Sequence, residues 1–466
     1  MTITSLFIFR RDFRIIDNLA FSACCQESTH VIPVFIFTPE QIDPKKNAYF
    51  SHSAVQFMCE SLTDLSSTFK KNNKTLYMFH DDNIRALESI YKVHKFDRIY
   101  FNIDYTIYAI TRDAEIAKWC EKNKVELHSA SYEDYTMLPL KEGLVAPDKP
   151  YTILGQFYKR YLKNLEIPKP NKKLPDISKC ITQLSLPSML LISNLSQFYQ
   201  HNPDLVVKGG RDEALKRLKI LPSLKNTYET HRDFPYEPHQ TTRMSAYLKF
   251  GCISIRHMYW ECVRVFKTRD HPLIRELFFR EFYTKIYALK PELQRTQAFL
   301  PQIEAKKSYL KPGSEAYKTA WTAWTQGNTG FPLVDAGMRQ LIHEGFTHNR
   351  VRMVQGSIAT RVLNLDWRDC ARYYATKLVD ICPYVNIASW QWCAGVGVDA
   401  MWYRPPFNPF IQSKKFDPDC IYIKKYIPEL RDVSPKHIHT WWNSKTRELY
   451  PDIMYGKSIN FYKDKY

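Results

Sequence analysis

The 466-residue chain is 44% hydrophobic and 14% aromatic, which excludes a disordered tail protein, and its length exceeds what one core usually holds, so two or three domains are expected. Its 66 Lys and Arg against 48 Asp and Glu leave a formal charge of +18, a surplus that favours a polyanionic partner, nucleic acid or an anionic membrane surface. Eleven cysteines with neither CxxC pairs nor metal-ligand spacing to His exclude a disulfide framework and a zinc module, and read as reduced thiols of an intracellular protein.

The opening SLFIFRRDFRIIDN is interrupted by Arg10, Arg11 and Arg14, and no apolar run elsewhere reaches membrane-spanning length, so a soluble protein without a signal peptide or a membrane association is expected. Short apolar runs at 6–9, 31–37, 75–79, 98–101 and 125–128 read as strands. They alternate with amphipathic stretches such as 53–69 and 84–93. That alternation predicts an α/β domain over 1–130, a Rossmann-like, parallel, five-stranded sheet with helices on both faces. Over 131–205 the periodicity fades while Pro, Lys and Ser rise (LPLKEGLVAPDKPY, IPKPNKKLPDISK), which reads as an irregular connector over the surface. From 206 to 466 strand patterns vanish. Helical periods at 244–250, 255–266, 273–289, 333–343, 351–363 and 368–379 predict an all-α domain.

Neither GxGxxG nor GxxxxGK[ST] occurs, and with 14 glycines in the whole chain a phosphate-cradling loop is not supported. TTRMSAYLKFG, 241–251, offers another device. It sets Thr241, Thr242 and Ser245 at the start of a helix with Arg243 beside them, which is either an anion site or an ordinary N-cap. Trp321, Trp324, Trp367, Trp390 and Trp392 crowd into 321–392. Singly each reads as core, and together they could relay electrons if the indoles approach closely. Arg352 and Asp380 interrupt apolar runs and must pair if buried; surface placement fits the pattern as well.

WTQGNTGFPLVDAGMRQL (324–341), HNRVRM (348–353), SWQWCAGVGVDA (389–400) and FNPFIQSKKFD (407–417) together strongly resemble the photolyase/cryptochrome family, and FRRDFRIIDNLAF (9–21) resembles that family's opening. The resemblance spans nearly the full chain and is densest from 228 to 430. It implies an α/β antenna domain, a connector and an all-α FAD-binding domain. It implies FAD held by Tyr228, Thr241, Thr242, Arg243, Met244 and Ser245 at the phosphates and by Arg280, Asn349, Arg352, Asp380, Cys382 and Asn386 around the flavin. Arg352 and Asp380 match an ion pair beside the isoalloxazine, and Asn386 matches the residue facing N5. Trp390 and Trp367 match the inner electron-relay members; Tyr309 is the match for the outer one, with Trp321 as the alternative.

The resemblance further implies UV-damaged DNA as partner. Asn349 and Met353 stand where members acting on (6-4) products carry two histidines, which points to cyclobutane dimers. Glu276 matches the carboxyl that meets the dimer's bases, and Phe279, Tyr283, Met353 and Trp392 match the pocket walls. Phe279 replaces the usual Trp, so stacking is expected to be weaker. Arg232, Arg350, Gln412, Lys414 and Lys415 are expected at the DNA. Tyr108 and Ala109 occupy the positions of a folate-binding Asn–Glu pair, so folate is disfavoured and the second chromophore is left open. A monomer is expected. The chain ends at Tyr466 without a long tail, which favours repair over its alternative, a cryptochrome-type photoreceptor. A basic DNA-binding protein without flavin would require the motif match to be accidental.

Overall fold

The computed structural model describes residues 2–186, 188–237 and 239–456; positions 457–466 of the expected helical domain lie outside the described residues. The five expected strands all form and run parallel: β1 Thr4–Phe9, β2 His30–Phe37, β3 Tyr77–His80, β4 Arg98–Tyr100 and β5 Glu126–His128. A two-residue strand from the connector, β6 Met189–Leu190, adds antiparallel to β3, giving the order β5-β4-β1-β2-β3-β6. The five-stranded expectation missed it because two residues carry no periodicity.

Alternation along β1 shows why the sheet needs cover on both sides. Phe7 and Phe9 enter the large core with Phe21 and Phe69, whereas Leu6 and Ile8 enter a second core with Ile32, Val34, Ile99 and Trp119. The helices α1 Leu19–Glu27, α2 His52–Lys70, α3 Asn83–Val93 and α4 Ile107–Asn123 supply that cover. Asn18, Ser51, Asp82 and Thr106 cap their N-termini through side-chain oxygens.

The connector is more ordered than its composition indicates. It holds α5 Leu154–Asn164, whose Phe157 and Tyr161 are buried against Phe278. Lys and Arg on the outer face of α5 hid its period. The helical half follows as α6 Ser245–Lys249, α7 Ile255–Phe266, α8 Pro272–Leu289, α9 Glu315–Thr325, α10 Pro332–Glu344, α11 Asn349–Arg361, α12 Trp367–Ala375, α13 Pro383–Ala394 and α14 Pro409–Phe416. The expected helix at 368–379 stops at Ala375, and Thr376 closes it by donating back to Arg372 and Tyr373. Gly356 lets α11 and α13 touch, since a Cβ there would lie 2.7 Å from Cys393 Sγ.

Charge and stacking join the halves. Phe13 of the sheet domain stacks on Phe250, and Phe13 N–H donates to Phe250 O. Gly251 has a φ of +64°, and a Cβ there would meet Arg11 O at 2.2 Å, so this crossing admits no side chain. Beside it Asp134 accepts from Arg14 at 2.6 Å and from Arg256 at 2.7 Å, while Arg256 also lies 3.2 Å from Asp17. All four side chains are at most 4% exposed. The two arginines hold the Asp134 carboxyl below the ordinary carboxylate range although its burial opposes this. Removing one member of such a network leaves a buried charge uncompensated. Asp134→Ala is therefore expected to cost about 3 kcal/mol, read as a lowered urea midpoint.

Candidate flavin and DNA site

α13 packs against both α8 and α11, and these three helices carry a large share of the expected site. On α13, Asn386, Trp390 and Cys393 recur at helical spacing on one face, and Cys393 Sγ reaches Met353 O of α11 at 3.9 Å. Asn386 donates its amide N–H to Ala371 O of α12 at 2.9 Å. Among the described residues no donor meets its Oδ1. Arg352 lies 3.4 Å from both Asp380 oxygens and donates to Thr347 O at 2.8 Å. The pair left open by the sequence pattern is thus formed, with Asp380 buried and Arg352 partly exposed.

The hydroxyl-rich segment reaches this pair through a residue the sequence reading missed. The guanidiniums of Arg243 and Arg352 lie over the same ring, Phe346, at 5.7 and 5.3 Å. Arg243 adopts φ +51°, Met244 is buried, and Ser245 is exposed although Ala246, Tyr247 and Leu248 after it are buried. Among the described residues Arg243 Nε and Gln240 Oε1 are buried without hydrogen-bond partners, and the hydroxyls of Thr241, Thr242 and Ser245 make no hydrogen bond. Arg280 turns toward the connector. It donates to Tyr135 O at 2.8 Å and lies 3.8 Å over the Tyr135 ring, whose hydroxyl meets Cys382 Sγ at 3.0 Å. Lys249, also missed, lies 3.3 Å from the Phe250 ring centroid, and burial together with Arg11 pushes its pKa down to about 7. A single aromatic or lysine gives no sequence signal of such a place.

The expected dimer-contacting residues also converge. Phe279 and Tyr283 lie one turn apart on α8 with ring centroids at 6.2 Å. Trp392 donates to Asp399 O at 3.2 Å, and Asp399 and Glu276 both act on the Tyr283 phenol, which burial holds well above its usual pKa. Glu276 is bound at 2.7 Å by Arg232, which itself lies over the Tyr228 ring at 5.6 Å. Desolvation raises the Glu276 carboxyl's pKa against the pull of Arg232. Arg350 is paired with Asp233 at 2.8 Å and shares the Phe416 ring with Lys415, at 4.5 and 5.1 Å. Asn349, Lys414 and Lys415 are exposed, and among the described residues Gln412 Oε1 is buried without a partner.

Trp390 contacts Trp324 and Tyr374, and no ring contact joins it to Trp367 among the described residues. Trp367 donates to Glu304 at 3.2 Å. Tyr309 is half-buried, and among the described residues its buried hydroxyl lacks a partner. In the sheet domain Tyr108 bonds Thr38 Oγ1 at 2.7 Å and Ala109 is buried. The crevice between β1 and β4, where the strand order reverses, is lined by Arg10, Arg11, Asn102 and Asp104. Arg10 stacks 3.4 Å over Phe101 and pairs with Asp113.

Two family models match the chain: DNA photolyase over 5–176 and the FAD binding domain of DNA photolyase over 273–460. The deoxyribodipyrimidine photo-lyase of Buchnera aphidicola subsp. Acyrthosiphon pisum is 31% identical, covering 97% of this chain and 95% of that protein. Among solved structures, an archaeal photolyase from Sulfolobus tokodaii, crystallised with two FAD molecules, matches at TM-score 0.82 and 33% identity, over 95% of this chain and 94% of its own. A bacterial class III photolyase from Agrobacterium tumefaciens matches at TM-score 0.83 and 26% identity, over 98% and 94%. The chain belongs to the DNA photolyase family.

The residues present fit the dinucleotide of that family. Three uncommitted hydroxyls and the Arg243 cation suit phosphates, and an arginine, a carboxylate and an amide oxygen suit the polar edge of a flavin. Among the described residues no group of His, Cys, Asp and Glu could hold a metal, and no helix is long and apolar enough to cross a membrane.

The start of α11 carries a titration. His348 caps the helix, its Nδ1 accepting from Arg350 N–H at 3.2 Å, and burial pushes its pKa down to about 4, with Asp233 opposing and Arg352 and Arg350 assisting. The folded chain then binds fewer protons than the unfolded one between about pH 6.5 and pH 4. Stability falls as pH drops through that window, by up to about 3 kcal/mol from this group. His348→Asn, which keeps a cap without the titration, is expected to remove that share, read from urea midpoints at the two ends of the window.

Proposed function

We propose that the chain splits cyclobutane pyrimidine dimers in UV-damaged DNA by light-driven electron transfer. The observation that carries this reading is the junction of α8, α11 and α13. There Asn386 and Arg352, whose partner Asp380 lies in the segment before α13, share three helices with Glu276, Phe279, Tyr283, Met353 and Trp392. When bound, FAD in its fully reduced form supplies, on blue-light excitation, the electron that opens the cyclobutane ring and is afterwards recovered.

The chain's residues do the rest. Thr241, Thr242, Ser245 and Arg243, with Met244 beside them in sequence and Tyr228, would hold the phosphates. Arg280, Cys382, Arg352, Asp380 and Asn386 bound the flavin, and the Asn386 carbonyl oxygen accepts from a protonated ring nitrogen. A dimer must leave the stack to reach them. Phe279, Tyr283, Met353 and Trp392 provide apolar walls for it, while Asn349 and the second oxygen of Glu276 meet its polar edges. Glu276 Oε1 is already held by Arg232, which fixes the carboxylate's direction. Arg350, Lys414 and Lys415 neutralise backbone phosphates, with Gln412 alongside, and Phe416 keeps the Arg350 and Lys415 cations together. One chain carries every residue named, which supports a monomer acting wherever DNA is accessible. The absence of paired histidines at Asn349 and Met353 supports cyclobutane rather than (6-4) lesions, because those lesions need proton transfer.

An assay on irradiated oligonucleotides tests the reading. Glu276→Ala and Asn349→Ala are each expected to lower repair about tenfold or more, the value of one hydrogen bond to a charged or reacting group, with FAD content unchanged. Unaltered turnover in both would contradict the pocket. Arg350→Ala and Lys415→Ala are each expected to flatten the log–log salt dependence of DNA binding by about one unit. A flavin-loaded protein that leaves dimers intact under blue light would instead be a photoreceptor.

A further inference from the structure

From Trp390 the aromatic rings continue in a direction other than Trp367. Trp390 meets Trp324 edge-on, with centroids at 5.9 Å and planes at 86°. Trp324 meets Trp321 at 5.7 Å, and Trp321 stacks on Tyr317 at 5.7 Å with the planes 10° apart. The Tyr317 hydroxyl donates to Asp369 Oδ2 at 3.1 Å. The series runs outward: Trp324 is fully buried, whereas Trp321 and Tyr317 are only half-buried. Tyr374, stacked on Trp324 and set against Trp390, and Tyr373, set against both Trp321 and Trp324, hold the rings in place.

The chemistry of each ring suits its place in the series. Among the described residues the Trp324 indole N–H is buried without an acceptor, so a positive hole there meets no base that takes its proton and moves on. Tyr317 is the first ring with a carboxylate on its acidic proton. The route through Trp367 is less favourable because the Arg368 cation lies 4.5 Å over the Trp367 ring and opposes positive charge there. The carboxylates do not separate the two routes, since Glu304 is paired with Arg368 at 2.9 Å and Asp369 with Arg372 at 2.5 Å. Beyond Trp367, the buried Tyr309 hydroxyl has no acceptor among the described residues.

We propose that Trp324, Trp321 and Tyr317 form a second exit for the hole created when oxidised flavin is photoreduced, with Asp369 as the proton acceptor. The inference rests on the flavin reading above. Trp390 gives up one electron to the photoexcited, oxidised flavin and regains one from Trp324; Trp324 draws on Trp321, and Trp321 on Tyr317. The Tyr317 O–H bond breaks as its electron leaves. The proton goes to Asp369 and a neutral tyrosyl radical remains. A thiol reductant in solution returns the electron, becoming a thiyl radical and releasing its own proton, and Asp369 returns the proton to the phenol oxygen.

The test uses the FAD-loaded full chain, illuminated with a thiol present for flavin bleaching and with none for frozen-solution electron paramagnetic resonance. The wild type and Trp367→Phe are both expected to bleach the oxidised flavin and to give a tyrosyl signal, as is Tyr309→Phe. Tyr317→Phe is expected to lose the tyrosyl signal. Asp369→Asn is expected to slow its appearance, more in water than the loss of a purely structural contact would. Trp321→Phe combined with Trp367→Phe is expected to abolish bleaching. Loss of bleaching in Trp367→Phe alone, or an undiminished tyrosyl signal in Tyr317→Phe, overturns the branch. The enzyme reading is checked separately by dimer repair after chemical reduction of the wild type. Its failure beside an intact tyrosyl signal sinks repair and leaves the branch standing.

Discussion

The contact between α11 and α13 governs the site, because the faces that press together are also the faces that carry the chemistry. Gly356 and Cys393 set how near the two helices come, since any side chain at 356 would collide with the Cys393 sulfur. One turn before Gly356 on α11 stand Arg352 and Met353. One and two turns before Cys393 on α13 stand Trp390 and Asn386. Helical spacing therefore converts one interhelical distance into the separations of the arginine, the amide and the first relay indole. A larger residue at 356 would shift all of them at once, and close packing gives them nowhere else to go.

Electrostatics follows a similar economy of parts. The chain carries a large cationic surplus, yet arginines expected at DNA already have acidic partners, Arg232 with Glu276 and Arg350 with Asp233. A guanidinium held by one carboxylate keeps its direction and still has N–H groups for a phosphate or base. Lys414 and Lys415 remain exposed and supply charge without direction. Fixed arginines then set register on the ligand, and mobile lysines set its salt dependence. Farther inside, where two halves of the chain meet, Arg14 and Arg256 surround Asp134, and the charge is balanced in place because no water reaches it.

The sheet was legible to within one or two residues because strands covered on both faces must be almost wholly apolar, and VIPVFIF has few other uses. The helices of the second half were legible from their period, and the motif run 324–417 located the residues of the junction. Other elements left weaker traces. α5 was lost because its basic outer face and flanking prolines imitate a loop, and β6 because two residues have no period. Phe346 and Phe416 escaped notice because an aromatic residue reads as core in any sequence; only coordinates show two cations over each ring. The pairing of Arg352 with Asp380 was an open alternative until the distance between helix α11 and the segment before α13 was fixed.

The Trp324 indole shows how such a structure separates packing from function. A buried N–H without an acceptor costs about 1–3 kcal/mol, so packing alone would favour Phe at that position or a carbonyl beside it. Tyr374 faces the same indole in a parallel stack and sends its own hydroxyl elsewhere, to Gln355 at 2.6 Å. Tyr373, also set against this indole, sends its hydroxyl to Thr325 O at 2.9 Å, so both of these polar neighbours are already engaged. What Phe lacks is an electron-rich indole, and what an acceptor would add is a base to trap a hole by taking its proton. A ring that must be oxidised easily and yet keep its proton has to be a tryptophan with no partner. The cost in stability is then the physical consequence of a requirement that burial alone would never impose.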